Sequence, residues 1–101
     1  MKKALIISPA DNVATALEDI AAGDSVEARF EKKAETLEAR ESIPFGFKIA
    51  LTDIPKGGNV IKYGEAIGKA SVAIRRGSLV HVHNVEGARG RGDLAKGAAK
   101  P

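Results

Sequence analysis

The stretch Ile43-Pro44-Phe45-Gly46-Phe47-Lys48-Ile49 holds the pattern that decides the fold of this 101-residue chain. Its spacing, Ile-x-x-Gly-x-x-(Val/Ile), occurs three more times. The other copies occupy residues 20–26, 54–60 and 74–80, with Gly23, Gly57 and Gly77 at the matching place. In each copy the glycine supplies the positive φ that closes a tight turn, between a buried Ile and the Val or Ile that opens a strand. The pattern therefore predicts four similar corners in one compact, mostly β domain.

The residues around each copy add detail to this prediction. Pro44 and Pro55 follow the Ile of two copies, where proline pre-sets φ at the start of a turn. Asp19 and Asp53 precede the Ile of two copies, and we expect each to accept hydrogen bonds from N–H groups about two residues further on, as in an Asx-turn. The copies begin 23, 11 and 20 residues apart, which is too uneven for a solenoid.

Two segments conflict with an all-β interpretation. Residues 12–17 carry apolar side chains at helical spacing, and residues 31–38 have a composition typical of a helix. Local propensity alone predicts a helix in both places. From Gly87 onward the chain is rich in Gly, Ala and charge without apolar periodicity, so we predict a domain over residues 1–86 and a flexible basic tail over 87–101.

The composition excludes several classes of function. The chain has no Cys and only two His, which rules out thiol catalysis, thiolate metal sites and disulfides. The net charge of +3 comes from basic residues mostly interleaved with acidic ones, so we do not expect a nucleic-acid partner. The apolar run near the N-terminus is too short for a signal peptide, and no stretch is long enough to span a membrane. We therefore predict a cytoplasmic protein with no membrane partner.

Two short motifs are the candidates for chemistry. In His81-Val82-His83-Asn84 the alternation predicts a strand with His81 and His83 on one face, where both side chains reach one metal or one of them acts as acid or base. The alternative is a pair of half-exposed histidines without a function. Lys62-Tyr63-Gly64 can present a cation to a carboxylate, and its alternative is a surface lysine beside a packed tyrosine.

Four blocks in order carry a resemblance to a known family. They are Asp11-Asn12-Val13-Ala14, then residues 43–51, then residues 60–68, then His81-Val82-His83-Asn84. Over about residues 9–86 the chain resembles the N-terminal SAF-type domain of altronate and galactarate dehydratases, and the small subunit of sulfolactate sulfo-lyase. The resemblance implies a SAF-like β-clip domain, mostly β with short helical turns. It also implies strand at 12–17 and extended chain at 36–40, against local propensity.

The resemblance also implies a function. The chain is expected to be the small subunit of a two-chain dehydratase or lyase acting on a sugar acid or a related hydroxy-acid, non-catalytic by itself, with a large catalytic subunit as partner and self-association left open. The expected reaction removes a proton beside a carboxylate and expels hydroxide or sulfite. A divalent metal, for which iron is the first candidate, is expected to be shared with the large subunit. The matched motifs imply catalytic roles and metal ligation for His81 and His83. They imply substrate contacts for Lys48, Lys62, Tyr63 and Asn84.

One residue departs from the family pattern. The family's Gly-His-Lys is here Gly46-Phe47-Lys48, and Phe can neither bind a metal nor move a proton. If that position is catalytic in the family, this chain is a diverged subunit or acts on another substrate; if it only packs, the change is neutral. Phe47 therefore keeps open an alternative function, a free-standing SAF-type carbohydrate-binding or assembly module without catalysis.

Overall fold

The computed structural model describes residues 1–87, which form nine strands and the turns that join them. The strands are β1 (Lys2–Leu5), β2 (Val13–Ala16), β3 (Ser25–Phe30), β4 (Lys33–Glu38), β5 (Lys48–Ala50), β6 (Asn59–Lys62), β7 (Glu65–Ala70), β8 (Leu79–Val80) and β9 (Val85–Gly87). The mostly β class predicted from the corners is confirmed. Within residues 1–87 the expected short helical turns are replaced by glycine turns, and no helix is present that could cross a membrane.

The four predicted corners are all present. Their glycines have φ between 85° and 90°, and the Ile that starts each corner is at most 3% exposed. In each corner the residue after the glycine donates its N–H to a carbonyl three residues earlier, as Phe47 does to Pro44 at 3.0 Å. The residue that ends each corner is fully buried: Val26, Ile49, Val60 and Val80. Each copy of the pattern thus forms one tight turn with a buried residue at its start and another at its end.

The corners pair with one another. Ile20 bridges Ile43 and Ile54 bridges Ile74, each as an isolated antiparallel pair. Within each pair, an aspartate of one corner bonds to the backbone of the other. Asp19 accepts a hydrogen bond from the N–H of Phe45, and Asp53 accepts one from the N–H of Arg76. The expectation of local Asx-turns at Asp19 and Asp53 was therefore wrong, because each carboxylate finds its donor in the opposite corner, more than 20 residues away in sequence.

The strands form two sheets. The larger has the order β4-β3-β1-β2-β5-β8, in which only the β1–β3 pair is parallel. The smaller is antiparallel with the order β6-β7-β9. The two segments with helical composition are largely strand, β2 and β4. The family resemblance implied strand at 12–17 and extended chain at 36–40, and β4 extends further toward the N-terminus than that. Apart from Gly87, which ends β9, the predicted tail lies outside the described residues.

Two hydrophobic cores meet at the β2–β5 ladder. The first includes Ala14, Ile43 and Ile49, and the second includes Val13 and Ala50, among others. Because successive side chains of a strand point to opposite faces, the same two strands supply both cores. This alternation decides on which face each candidate site residue lies.

Candidate functional site

A row of four residues crosses the larger sheet on the face of the second core. In the register of β1, β2, β5 and β8, Leu5 lies opposite Thr15, Thr15 opposite Lys48, and Lys48 opposite Val80. Directly opposite residues of antiparallel strands share a face, so Lys48 has Thr15 on one side and Val80 on the other. Burial, together with the positive charge of Lys62, holds the pKa of Lys48 below its usual value.

The second cation of this site is placed by a two-residue hairpin turn. Tyr63 and Gly64 join β6 to β7 with φ of 58° and 73°, the two positive values that a type I′ turn requires. Glycine adopts this conformation readily, whereas Tyr63 is a side-chain-bearing residue in the left-handed region. The Lys62 ammonium lies 5.0 Å from the centroid of the exposed Tyr63 ring, at cation–π distance.

Asp11 and Asn12 hold that hairpin against the larger sheet. Asp11 accepts hydrogen bonds from the N–H groups of Ser8 and Gly64 at 3.0 and 2.9 Å. The Asn12 side chain accepts from Ile61 N–H at 2.8 Å and donates to the Asn59 carbonyl at 2.9 Å. Because Asn12 immediately precedes β2, these bonds hold Lys62 near the strand that carries Thr15. The Asp11-Asn12 motif therefore positions the site residues, a role that its place in the sequence did not reveal.

His81 lies away from the two lysines. Its half-buried ring packs on Phe47 with the ring centroids 4.5 Å apart and the planes tilted by 47°. Phe47 packs against the first core, whereas Val80, which pairs with Lys48, belongs to the second. The contact with Phe47 therefore places His81 on the side of the first core, whereas Lys48 lies with Val80 on the side of the second core. Lys62 thus lies near enough to Lys48 for its charge to lower the pKa of Lys48, but the structure does not bring His81 to that side of the sheet.

The segment from His81 to Asn84 is a turn, not a strand. Asn84 is 6% exposed; its side chain accepts from His81 N–H at 3.0 Å and donates to the Leu79 carbonyl at 2.8 Å. Its own N–H bonds to the His81 carbonyl, which closes the turn. The prediction of one strand with His81 and His83 on the same face was therefore wrong, because the Asn84 side chain takes the bonds that would continue β8. The substrate contact predicted for Asn84 stays a prediction.

Metal donors are sparse in the part of the chain that the structure describes. Residues 1–87 contain no group of three or more His, Asp or Glu side chains placed to hold a metal ion. His81 packs on Phe47, and His83 is exposed in the turn. These residues do not make a complete metal centre by themselves, and each histidine is at most one ligand of a centre completed elsewhere.

The site is an open surface. A groove of about 860 Å³ lies beside the β3–β4 hairpin, with Ile6, Phe30 and Leu51 in its lining. Two smaller grooves lie beside Arg76 and beside Pro44. None of these three grooves is lined by Lys48, Lys62 or His81.

Thr15 is the residue that sequence reasoning missed. Its Oγ1 atom is buried and has no hydrogen-bond partner among the described residues. Only the register of β2 on β5 places it beside Lys48. The sequence carries no motif that could have indicated this, since position 15 is more than 30 residues from Lys48.

Comparison with known proteins adds to this geometry. The family described as "Altronate/galactarate dehydratase SAF domain" matches residues 2–88. The chain is 49% identical over 74 residues to an altronate dehydratase of Escherichia coli (strain K12), which covers 73% of this chain and 14% of the relative. It is 45% identical over 49 residues to a (2R)-sulfolactate sulfo-lyase subunit alpha of Chromohalobacter salexigens, which covers 48% of this chain and 52% of the relative.

A third relative is a galactarate dehydratase (L-threo-forming) of Escherichia coli (strain K12). It is 57% identical over 44 residues, which are 44% of this chain and 8% of the relative. The chain therefore spans only a small part of the dehydratases that it matches, and about half of the sulfo-lyase subunit.

Proposed function

Since the chain belongs to the family of altronate/galactarate dehydratase SAF domains, we propose that it is the small subunit of a cytoplasmic two-chain lyase. Its substrate in this proposal is a sugar acid of the altronate or galactarate kind, or a related hydroxy-acid such as sulfolactate. The relatives named as alpha subunits support a separate small chain. The large catalytic subunit is the surface that closes over the open site.

The observation that carries the proposal is half-buried Lys48, which lies opposite the unpartnered hydroxyl of Thr15 on β2, the strand to which Asn12 holds the Lys62 hairpin. Within residues 1–87 no ion pair joins the ammonium of Lys48 or of Lys62 to a carboxylate. Two neighbouring cations without an acidic partner favour a bound anion. A hydroxy-acid carboxylate is such an anion. In this proposal the exposed Tyr63 at the hairpin tip contacts the same substrate.

The roles of the two lysines follow from where negative charge develops on the substrate. Removal of a proton beside a carboxylate gives an enediolate-like species with increased negative charge on the carboxylate oxygens, which fixed cations stabilise. In this proposal Lys48 and Lys62 supply that stabilisation, and the β-substituent leaves as hydroxide or sulfite. Because His81 lies on the other side of the sheet from Lys48, proton transfer at an acid held by the two lysines is assigned to groups of the large subunit. The catalytic roles of His81 and His83 stay predictions.

The proposal includes a divalent metal, with iron as the first candidate, shared between the two chains. A bound divalent metal stabilises developing negative charge as a Lewis acid. His81 and His83 are the donors that this chain offers, and the remaining ligands are assigned to the large subunit because residues 1–87 hold no set of three donors.

Co-expression with a large catalytic subunit tests the proposal. The purified pair, supplied with Fe²⁺, is expected to release water from altronate or galactarate, or sulfite from sulfolactate. The small chain alone is expected to show no turnover. Lys48→Gln and Lys62→Gln are expected to lower kcat/KM by about a hundredfold each, and the exposed Lys56→Gln to leave it unchanged. Turnover by the 101-residue chain alone overturns the subunit assignment.

The second candidate is a free-standing carbohydrate-binding or assembly module. Phe47 favours it, because an apolar ring occupies the place beside His81 where the family pattern has histidine. A metal-supplied pair that is inactive on all three acids, and that Phe47→His does not activate, overturns the lyase assignment. Restoration of turnover by Phe47→His instead identifies a diverged lyase subunit.

A further inference from the structure

The groove beside the β3–β4 hairpin takes no part in the candidate site. It measures about 860 Å³ and shares Ile6, Ala28 and Leu51 with the first core. Its floor is apolar, since Ala28 and Leu51 are buried and Ile6 and Phe30 are half-buried. Apolar side chains that line an open groove gain free energy when another apolar group covers them. We therefore asked which apolar group is within reach of this floor.

Charged residues of the same hairpin form the rim of the groove. Along the chain they are Glu31, Lys32, Lys33 and Glu35, so the order of charge is negative, positive, positive and negative. Glu35 pairs with Arg76, whereas no ion pair joins the other three to any residue within 1–87. Their charges are therefore available to a segment that lies along the groove.

The direction of β9 points the following chain toward this groove. β9 runs antiparallel to β7 and ends with Gly87 opposite Gly68. The chain after Gly87 therefore starts in the direction of Gly64, the residue before β7, which is roughly 13 Å along that strand. Gly64 donates its N–H at 2.9 Å to Asp11, and Asp11 lines the groove. The end of the described chain thus leads past the groove.

Residues 88–101 contain a suitable apolar group within reach. Leu94 is the one Leu, Ile, Val, Met or aromatic residue among them. The seven residues from Gly87 to Leu94 span up to roughly 23 Å, which takes Leu94 beyond the tip of the β6–β7 hairpin. The charged residues nearest to Leu94 are Arg91, Asp93 and Lys96, in the order positive, negative and positive. That order is complementary to the order of charges on the rim.

From the groove, its rim and the direction of β9 we infer that the groove binds the chain's own segment 88–101. Leu94 covers the apolar floor, Arg91 lies beside Glu31, and Asp93 lies beside the two lysines of the rim. The flexible tail predicted from composition needs no regular structure for this contact, because one apolar side chain anchors it. The inference is independent of the proposed function.

A nitroxide label tests the contact in the full-length chain. The chain has no cysteine, so Ala98→Cys provides a single labelling site. A short tether gives an effective concentration on the order of 1 mM, which keeps even a weakly binding segment docked about half of the time. The label is therefore expected to reduce the amide NMR intensities of Phe30 and Leu51 at least about twofold relative to the reduced, diamagnetic label. The corner at residues 20–26, at the other end of β3, is expected to be affected far less.

Two sets of variants of the labelled chain locate the contact. Leu94→Ser is expected to restore the intensities of the groove amides, whereas the neighbouring Ala95→Ser is expected to leave them reduced. Glu31→Lys is expected to weaken docking about threefold. Arg91→Glu added to Glu31→Lys is expected to restore docking, because the two charges are then exchanged. Glu38→Lys makes the same charge change at the other end of β4 and is the matched control.

Equal intensities in Leu94→Ser and Ala95→Ser overturn the inference, as does signal loss spread evenly over the surface. Signal loss that increases with protein concentration, together with a dimer in size-exclusion chromatography, assigns the groove to the tail of a second copy and overturns docking within one chain. An effect of Glu38→Lys equal to that of Glu31→Lys overturns the position given to Arg91. The amide spectrum outside the groove reports whether each variant is folded.

Discussion

The four corners differ in why they need a glycine. Gly57 and Gly77 have nearly the same φ, 85° and 90°. A Cβ on Gly57 would meet nothing within 4 Å, whereas a Cβ on Gly77 would collide with the backbone carbonyl of Glu38. The repeated glycine therefore serves backbone conformation alone in one corner, and both conformation and close packing on β4 in another.

The first prediction compares these two glycines. Gly57→Ala is expected to lower the free energy of unfolding by about 1 kcal/mol, the cost of a left-handed alanine. Gly77→Ala is expected to lower it by about 3 kcal/mol or more, because a backbone carbonyl cannot move aside as the end of a flexible side chain does. Urea unfolding followed by circular dichroism measures both values. Equal losses for the two variants would show that the Glu38 contact has no energetic weight.

Lys48 gives the second prediction, which concerns pH. Its folded-state pKa lies below the usual 10.5, first because of burial and second because of Lys62. The folded protein therefore holds the Lys48 proton less tightly than the unfolded chain does. At pH values below the folded-state pKa, charged Lys48 lowers the free energy of unfolding by its full amount. The destabilisation disappears as pH rises through the folded pKa to the unfolded one. Lys48→Met is thus expected to be more stable than the wild type at pH 7.

The measurement is the pH dependence of the stability gained by Lys48→Met. The difference in free energy of unfolding between Lys48→Met and the wild type is expected to shrink as pH rises from 8 toward about 10.5. Lys56→Met is the control, since Lys56 is exposed and its charge is not a cause of the Lys48 shift. A gain that is constant over this range would show that it comes from packing of the methionine.

At the scale of elements, the corners work in pairs. Asp53 of one corner accepts from the N–H of Arg76 at 2.8 Å, as Asp19 accepts from Phe45 at 2.9 Å in the other pair. These bonds satisfy N–H groups inside the glycine turns and hold each pair of corners together. The same carboxylate position in two copies therefore has the same structural role, although its partner is distant in sequence.

The third prediction tests this pairing. Asp53→Ala is expected to lower the free energy of unfolding by about 1–2 kcal/mol, because the Arg76 N–H loses its acceptor. Asp53→Asn keeps a side-chain oxygen in the same place and is expected to lose less than half as much. Chemical unfolding of both variants gives the comparison. Equal losses for alanine and asparagine would show that the charge of Asp53, rather than the hydrogen bond, matters.

The sequence predicted the corners but not their partners. Glycine spacing determines a turn locally, so the positive φ at Gly46 was predictable from the pattern. The pairing of Ile20 with Ile43 depends on tertiary contacts, which no local pattern encodes. For residues 12–17 helical spacing competed with strand pairing, and pairing of β2 on both β1 and β5 decided the outcome.

Part of the candidate site was likewise predictable from local sequence, and part depended on tertiary contacts. Lys48 and Lys62 were predicted from the matched motifs, but the unpartnered hydroxyl of Thr15 became visible only through the register of β2 on β5. The Asn84 side chain ends β8 and forms a turn, which separates His83 from the strand that the sequence predicted. Alternation of polar and apolar residues could not distinguish that turn from a strand.

At the scale of the whole molecule, the two cores are not independent. Val13 and Ala50 belong to the second core, while Ala14 and Ile49 belong to the first, so strands β2 and β5 contribute to both. The same two strands carry Thr15 and Lys48. Loss of either core must therefore disturb the ladder that supports the site, and we expect the domain to unfold in one step.

The fourth prediction follows from this shared ladder. Ile43→Val in the first core and Ile74→Val in the second are each expected to lower the free energy of unfolding by about 1 kcal/mol. Each should lower the midpoint of one thermal transition by about 4–8 °C. Calorimetry is expected to give equal van't Hoff and calorimetric enthalpies for the wild type and both variants.

Native-state hydrogen exchange supplies the independent check. Both variants are expected to reduce the protection of the slowest amides in β2 and β5 equally, because those amides exchange only through global unfolding. If Ile74→Val lowers protection around Ile54 and leaves β3 and β1 unchanged, the two cores unfold separately. In that case Thr15 and Lys48 lie on the boundary between two cooperative units, and anion binding at that ladder would couple them.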